Sequence, residues 1–165
     1  MQAGCWCKYY RRTGQNPGGS PAEREGNSHR AKELLVKSGS AHSIIVYSGG
    51  SAIGWCQFGP AGELPRIDGI RNHKALGSAS PASRLWRITC FSVDREYRHR
   101  GVARYALAAA LDAIGRYGGG TAEAYPVTWN RAVNIWFGTV SMFRELGFSD
   151  AGRLGKRGLP VRKDV

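Results

Sequence analysis

The sequence predicts a mixed α/β fold, a central β-sheet of mixed strand direction flanked by helices. Short β-branched and aromatic runs recur along the chain, and a helical-period apolar stripe separates two of them. Gly-rich breaks punctuate the rest. With 165 residues, 42% of them hydrophobic and 22% charged, the chain suits one domain over 1–165 with a single core.

Cys5 to Tyr10 reads as a first strand, so near the start that part of it could be cut short. Thr13 to Asn27, rich in Gly, Pro, Ser and charge, reads as a mobile loop. A helix follows in which Ala31, Leu34, Leu35 and Ser38 share a face, with Ser28 as its cap and Gly39 as its end. His42 to Ser48 and Ala52 to Phe58, joined by Gly49-Gly50, read as an antiparallel pair. Residues 59–83 form a long connection, and Glu63, Pro65, Arg66 and the residues after them are candidates for the substrate side or for a plain spacer.

Leu85 to Val93 is strand-like, and Leu107, Ala110, Leu111 and Ile114 mark a helix from Ala103 to Tyr117 that Gly118-Gly119-Gly120 ends. Thr121 to Val127 reads as a strand and Thr139 to Leu146 as a short helix closed by Gly147. Ala151 to Leu154 with Leu159 to Arg162 reads as a final hairpin.

No apolar run approaches the roughly 20 residues of a membrane helix, and the start lacks the charged-then-apolar order of a signal peptide. The expected location is the cytoplasm. Four cysteines are too few and too scattered for a disulfide framework. The 24 Lys and Arg against 12 Asp and Glu give a formal charge of +12, which favours anionic ligands: a coenzyme, a nucleic acid or an acidic protein.

The informative segment is Phe91-Ser92-Val93-Asp94-Arg95-Glu96-Tyr97-Arg98-His99-Arg100-Gly101-Val102-Ala103, which leaves a strand and enters a helix through a basic, glycine-containing turn. A helix start exposes unpaired N–H groups and about +0.5 charge, so phosphate oxygens can supply the acceptors its first turn lacks. Gly101 permits close approach to the backbone, Arg98 and Arg100 add charge, and small Ala103 keeps the turn open.

Arg98, Gly101 and Ala103, with Val93 and Tyr97 upstream, resemble the acetyl-CoA loop of the GNAT superfamily, Arg/Gln-x-x-Gly-x-Gly/Ala. The resemblance covers nearly the whole chain and extends to Ser141-Met142-Phe143-Arg144-Glu145-Leu146-Gly147-Phe148, similar to the family's terminal helix and its Gly-Phe ending. Gly54 to Pro60, Glu123 to Val127 and the Cys5-Trp6-Cys7 start look like a bacterial subgroup of that family.

The resemblance implies acetyl-CoA as co-substrate, a primary amine as acceptor, direct transfer, and a GNAT fold with splayed central strands. It places the coenzyme on Phe91, Ser92, Val93, Arg98, His99, Arg100, Gly101, Val102, Ala103 and Phe143, with backbone N–H groups of residues 91–93 polarising the thioester. Monomer and homodimer both fit. The rival class is a basic RNA-directed protein, either a GNAT toxin acting on aminoacyl-tRNA or a non-catalytic nucleic-acid binder, for which Arg95 to Arg104 and Lys156 to Lys163 supply basic clusters.

Glu123 and Tyr125, two apart on a strand, share a face and are the candidate base and acid, with a structural pairing of Glu123 to an Arg or a backbone cap as the alternative. Phe143 stands where the family usually has a Tyr acid, so the acid falls to Tyr125, Ser141, water or no residue. Cys90 suggests a ping-pong scheme but reads better as a small buried hydrophobe. Cys5 and Cys7 with Cys56 or His42 lack ordinary zinc spacing, so no metal is expected. Trp55, Trp86, Trp136 and Phe137 either line an apolar acceptor pocket or form core.

Overall fold

The structure is a computed structural model and describes residues 9–11, 20–69, 73, 84–126, 136–154 and 158–165. Its elements run α1 (Pro21–Lys37), β1 (Ser43–Ser48), β2 (Ser51–Pro60), β3 (Leu85–Val93), α2 (Val102–Arg116), β4 (Thr121–Ala124), α3 (Val140–Glu145), β5 (Ser149–Asp150) and β6 (Val161–Asp164). Short 3₁₀ turns occupy Tyr9–Arg11, Ala61–Glu63, Pro65–Gly69 and Arg95–Tyr97. The six strands form one sheet in the order β1-β2-β3-β4-β6-β5. Among the described strands only β3 and β4 run parallel, as a strand–helix–strand unit through α2 requires. The mixed α/β expectation holds.

Ala106, Leu107, Ala110, Leu111 and Ile114 of α2 are buried and share a core with Phe58, Ile88, Phe91, Ala122, Ala124 and Phe143. Fully burying a Leu or Ile side chain contributes roughly 1.5–3 kcal/mol, so this stripe is what holds α2 on the sheet. Its N-terminus lies so close to β2 that a Cβ on Gly54 would sit 2.5 Å from Val102 Cγ1. Gly54→Ala is therefore expected to cost about 1–3 kcal/mol by overpacking, read as a lower urea midpoint at unchanged slope.

Several boundaries differ from the expectations. The first helix opens at Pro21 rather than after Ser28. Ser20 Oγ accepts from Glu23 N at 3.3 Å while Glu23 Oε2 accepts from Ser20 N at 2.8 Å, a full capping box. Residues 21–27 are thus helical, and 13–19 lie outside the described residues. Leu34 is 63% exposed and Ala31 and Leu35 face inward, so the buried face is narrower than its apolar spacing suggested.

Tyr9 and Tyr10 lie in a 3₁₀ turn instead of a strand, and Cys5 and Cys7 fall outside the described residues. β4 ends at Ala124, short of the expected strand to Val127; Pro126, which has no N–H to donate, follows two residues on, and Val127 lies outside the described residues. In the final hairpin the ladder runs through Ser149–Asp150 and Val161–Asp164, with Leu154 and Gly158 joined by a lone bridge. Among the described residues no helix is long and apolar enough to cross a membrane.

Candidate active site

β3 and β4 pair only from Leu85↔Thr121 to Ile88↔Ala124, whereas β3 continues to Val93. Beyond Ile88 no described strand pairs with the β4-side edge of β3, so among the described residues a gap opens in the middle of the sheet. Asp94 N donates to Ile53 O of β2 at 2.8 Å. Alternate residues face opposite edges, so the N–H groups of Phe91 and Val93 point into the gap and that of Ser92 points to β2. Of the three residues named as candidate thioester donors, Phe91 and Val93 direct their N–H groups away from β2 and Ser92 directs its own toward it.

Past Val93 the chain makes a 3₁₀ turn over Arg95–Tyr97, with Asp94 Oδ1 accepting from Glu96 N at 3.1 Å, and Arg98 Nε donates back to Val93 O at 3.3 Å. His99 (φ 60°) and Gly101 (φ 79°) both adopt the left-handed region. For His99 that costs about 1–2 kcal/mol, a strain typical of ligand clamps. Gly101 caps α2 without a side chain, and Tyr105 N is the first amide to close on it, at 2.9 Å from Gly101 O. The amides of Val102, Ala103 and Arg104 therefore remain for an external acceptor.

This turn and the end of β3 enclose one side of a cavity of about 670 Å³. Phe91, Ser92, Val93, Arg98, His99, Arg100, Gly101, Val102 and Ala103 all line it. The opposite wall is α3 and the residues before it, including Trp136, Ser141 and Glu145, which the sequence reading did not assign to the coenzyme. Phe143 does not line the cavity. It is fully buried, edge-on to Phe91 at 6.0 Å and to Phe148 at 5.1 Å, and so supports the wall from behind. The helical period turns Met142 and Ser141 to the cavity and Phe143 to the core.

Glu123 and Tyr125 do meet, with the phenol donating to Glu123 Oε1. Neither lines the cavity. Ala122 and Ala124 join the α2-side core, so Glu123 projects from the other face of the sheet, beside Arg87 of β3. There Arg162 Nε of β6 donates to Glu123 Oε2 at 2.6 Å, and His73 Nε2 lies 3.3 Å from Oε1. Burial alone would raise the Glu123 pKa, but the bonds from His73, Tyr125 and Arg162 and the Arg162 charge outweigh it and bring it to about 2. Burial, then the Glu123 charge, pushes the Tyr125 phenol well up. As a proton acceptor Glu123 is weak, because its lone pairs are engaged.

Arg87, also buried, donates to Ala61 O at 3.1 Å, to Leu64 O at 2.9 Å and to both oxygens of Asp68. His73 Nδ1 lies 3.8 Å from Asp68 Oδ1. Asp68 and His73 lie in the 59–83 connection expected on the substrate side, but neither they nor Arg87 and Arg162 are singled out by the sequence, since they converge from segments without a local motif.

Other candidates take structural places. Glu63 Oε2 accepts from Arg11 at 3.1 Å and lies 3.0 Å from His42 Nδ1, tying the first turn to β1. Cys56 is buried with its thiol pushed up by burial, and Cys90 is buried in β3. The four aromatics do not form one pocket. Trp86 stacks on Tyr117 at 5.5 Å, Lys32 lies 5.6 Å over Trp55, Phe137 meets Tyr10 at 6.3 Å, and Trp136 lines the cavity beside the start of α2.

A parallel central pair that parts toward a basic turn and a bare helix start defines an acetyltransferase-type α/β domain. The chain belongs to the Acetyltransferase (GNAT) family, whose model matches residues 6–148. Solved structures share the fold. Ribosomal-protein-alanine N-acetyltransferase from Brucella melitensis aligns at 16% identity over 86% of this chain and 78% of its own, with a TM-score of 0.57. An N-acetyltransferase from Staphylococcus aureus Mu50 aligns at 15% over 97% and 86%, TM-score 0.56, and Ard1 from Thermoplasma volcanium at 15% over 84% and 79%, TM-score 0.52. No curated protein sequence matches.

Proposed function

We propose that this chain is an acetyl-CoA-dependent N-acetyltransferase that moves an acetyl group directly to a primary amine. The observation that carries the reading is the single cavity joining the free first-turn amides of α2, the guanidinium groups of Arg98 and Arg100, and the gap beside Phe91 and Val93. The coenzyme fits this chemistry. A diphosphate meets N–H donors and positive charge at one end, and a thioester carbonyl meets the Phe91 and Val93 amides at the other. The coenzyme supplies an activated acetyl group, and the protein holds it where the sheet opens.

Wall residues Thr139 and Ser141, whose hydroxyls lie 3.1 Å apart, offer further polar contacts to the coenzyme arm. Glu123 and Tyr125 stand on the far face of the sheet, where the amine acceptor would approach the same gap. The soluble acetyl donor is consistent with work in the cytoplasm, as monomer or homodimer. Acetyl-CoA at 100 times its dissociation constant should stabilise the protein by about 2.7 kcal/mol in thermal unfolding. Absence of any shift at saturating coenzyme would remove the reading.

A further inference from the structure

We propose that His73 is the proton acceptor for the amine, with Glu123 and Arg162 as the residues that position it. This rests on the transferase reading above and deepens it. Glu123, the carboxylate expected to act as base, is fully buried and accepts from Arg162 and Tyr125 while His73 sits against it. A neutral imidazole keeps a nitrogen lone pair that can accept a proton, and the His73 side chain is 11% exposed where Glu123 is 0% exposed.

The network selects one tautomer. His73 Nε2 faces Glu123 Oε1 at 3.3 Å and the Tyr125 oxygen at 3.4 Å. The Tyr125 proton is already given to Glu123, so both neighbours of Nε2 are acceptors, and Nε2 carries the hydrogen. The lone pair then lies on Nδ1. A carboxylate holding one imidazole nitrogen so that the other can take a proton is the arrangement that makes histidine an effective base.

The surroundings also suit the charged product. Among the described residues the groups facing His73 are Asp68 from the 3₁₀ turn, Glu123 and Tyr125 from β4 and its exit, with Arg162 of β6 and Arg87 of β3 behind them. The two carboxylates are each paired with an arginine, so an imidazolium enters a locally balanced cluster. Once protonated, Nδ1 faces Asp68 Oδ1 at 3.8 Å, an attraction that the neutral ring lacks. The cluster stands beside the last β3–β4 pairs, Arg87↔Glu123 and Ile88↔Ala124, at the mouth of the gap.

In the reaction the amine lone pair attacks the thioester carbonyl carbon, and a C–N bond forms. The C–S bond breaks with its electron pair on sulfur, and the amine's surplus proton passes to His73 Nδ1 and on to solvent or the thiolate. No oxidant or further reactant is required.

The test uses the full chain, acetyl-CoA, and a probe peptide carrying a free N-terminal amine and a lysine, with acetylation read by mass spectrometry across pH. His73→Gln is expected to reduce kcat about 10²–10⁴-fold and to remove one ionisation from the acid limb of kcat/KM. Stabilisation by acetyl-CoA should persist in that variant, and added imidazole should restore part of the activity of His73→Ala. Turnover within about threefold of the parent, or an unchanged acid limb, overturns the proposal while leaving the transferase reading intact. A variant that loses activity but shows no imidazole rescue and no change in the pH profile marks His73 as structural and also overturns it. No acetylated peptide from the parent protein, under conditions where acetyl-CoA binds, overturns the transferase reading and this inference with it.

Discussion

Replacing Glu123 by alanine is expected to cost about 3–5 kcal/mol at neutral pH, the penalty typical of removing one partner from a buried ion pair. The loss comes less from the carboxylate than from what it leaves behind. Arg162 Nε and the Tyr125 hydroxyl would lose their acceptor where side chains are 17% exposed or less. A second signature lies in acid. The Glu123 carboxyl, ordinarily near 4.5, is held at about 2 in the folded chain, so its contribution is present above about pH 4.5 and is lost as pH falls toward 2. At about 1.4 kcal/mol per pH unit that contribution is about 3 kcal/mol. The deficit of Glu123→Ala relative to the parent, measured by urea unfolding, should therefore shrink between pH 4.5 and 2. A deficit under 1 kcal/mol at pH 7, or one that does not change through that window, would show that the carboxylate does not anchor the cluster.

That cluster also marks where sequence reasoning stops. Arg98 to Ala103, which line one cavity, could be grouped from the sequence because the turn is contiguous: its charges, its glycine and its small helical residue lie within six positions. The α2 stripe was legible because Leu107, Ala110, Leu111 and Ile114 repeat with the helix, and all four are buried. The start of α1 was hidden although Ser20-Pro21-Ala22-Glu23 spells a capping box with proline at its first position. Its Gly- and Pro-rich approach reads as loop. Phe143 was misplaced because homologous position indicates a segment, while the facing of one side chain depends on helix phase. Asp68, His73, Arg87 and Arg162 could not be grouped at all, since they come from a 3₁₀ turn, an isolated described residue and two strands. The Glu123–Tyr125 pair was visible because period two puts neighbours-but-one on one face, but its charge state depended on partners from outside the strand.

The coenzyme site can be tested with a substitution that separates binding from folding. Ala103 occupies the second position of α2, beside amides that no described residue caps. Ala103→Glu is expected to leave unliganded stability unchanged or raise it by about 0.3–1 kcal/mol, because a carboxylate in the first turn complements the helix dipole. The same carboxylate would compete for those amides and for Arg98 and Arg100, in the place proposed for the diphosphate, and would repel it. An affinity loss of 100-fold or more is expected. At a coenzyme concentration that stabilises the parent by about 2.7 kcal/mol, the variant should then gain about 0.4 kcal/mol or less. Ala103→Gln, similar in size without the charge, should keep more of the shift, so the difference between the two reads the electrostatic part alone. A full shift in Ala103→Glu would mean that the phosphates bind elsewhere and that the bare start of α2 is only a turn. A lost shift together with a lowered unliganded midpoint would point to damage rather than competition, because near this helix start a negative charge should help the fold while it excludes the ligand.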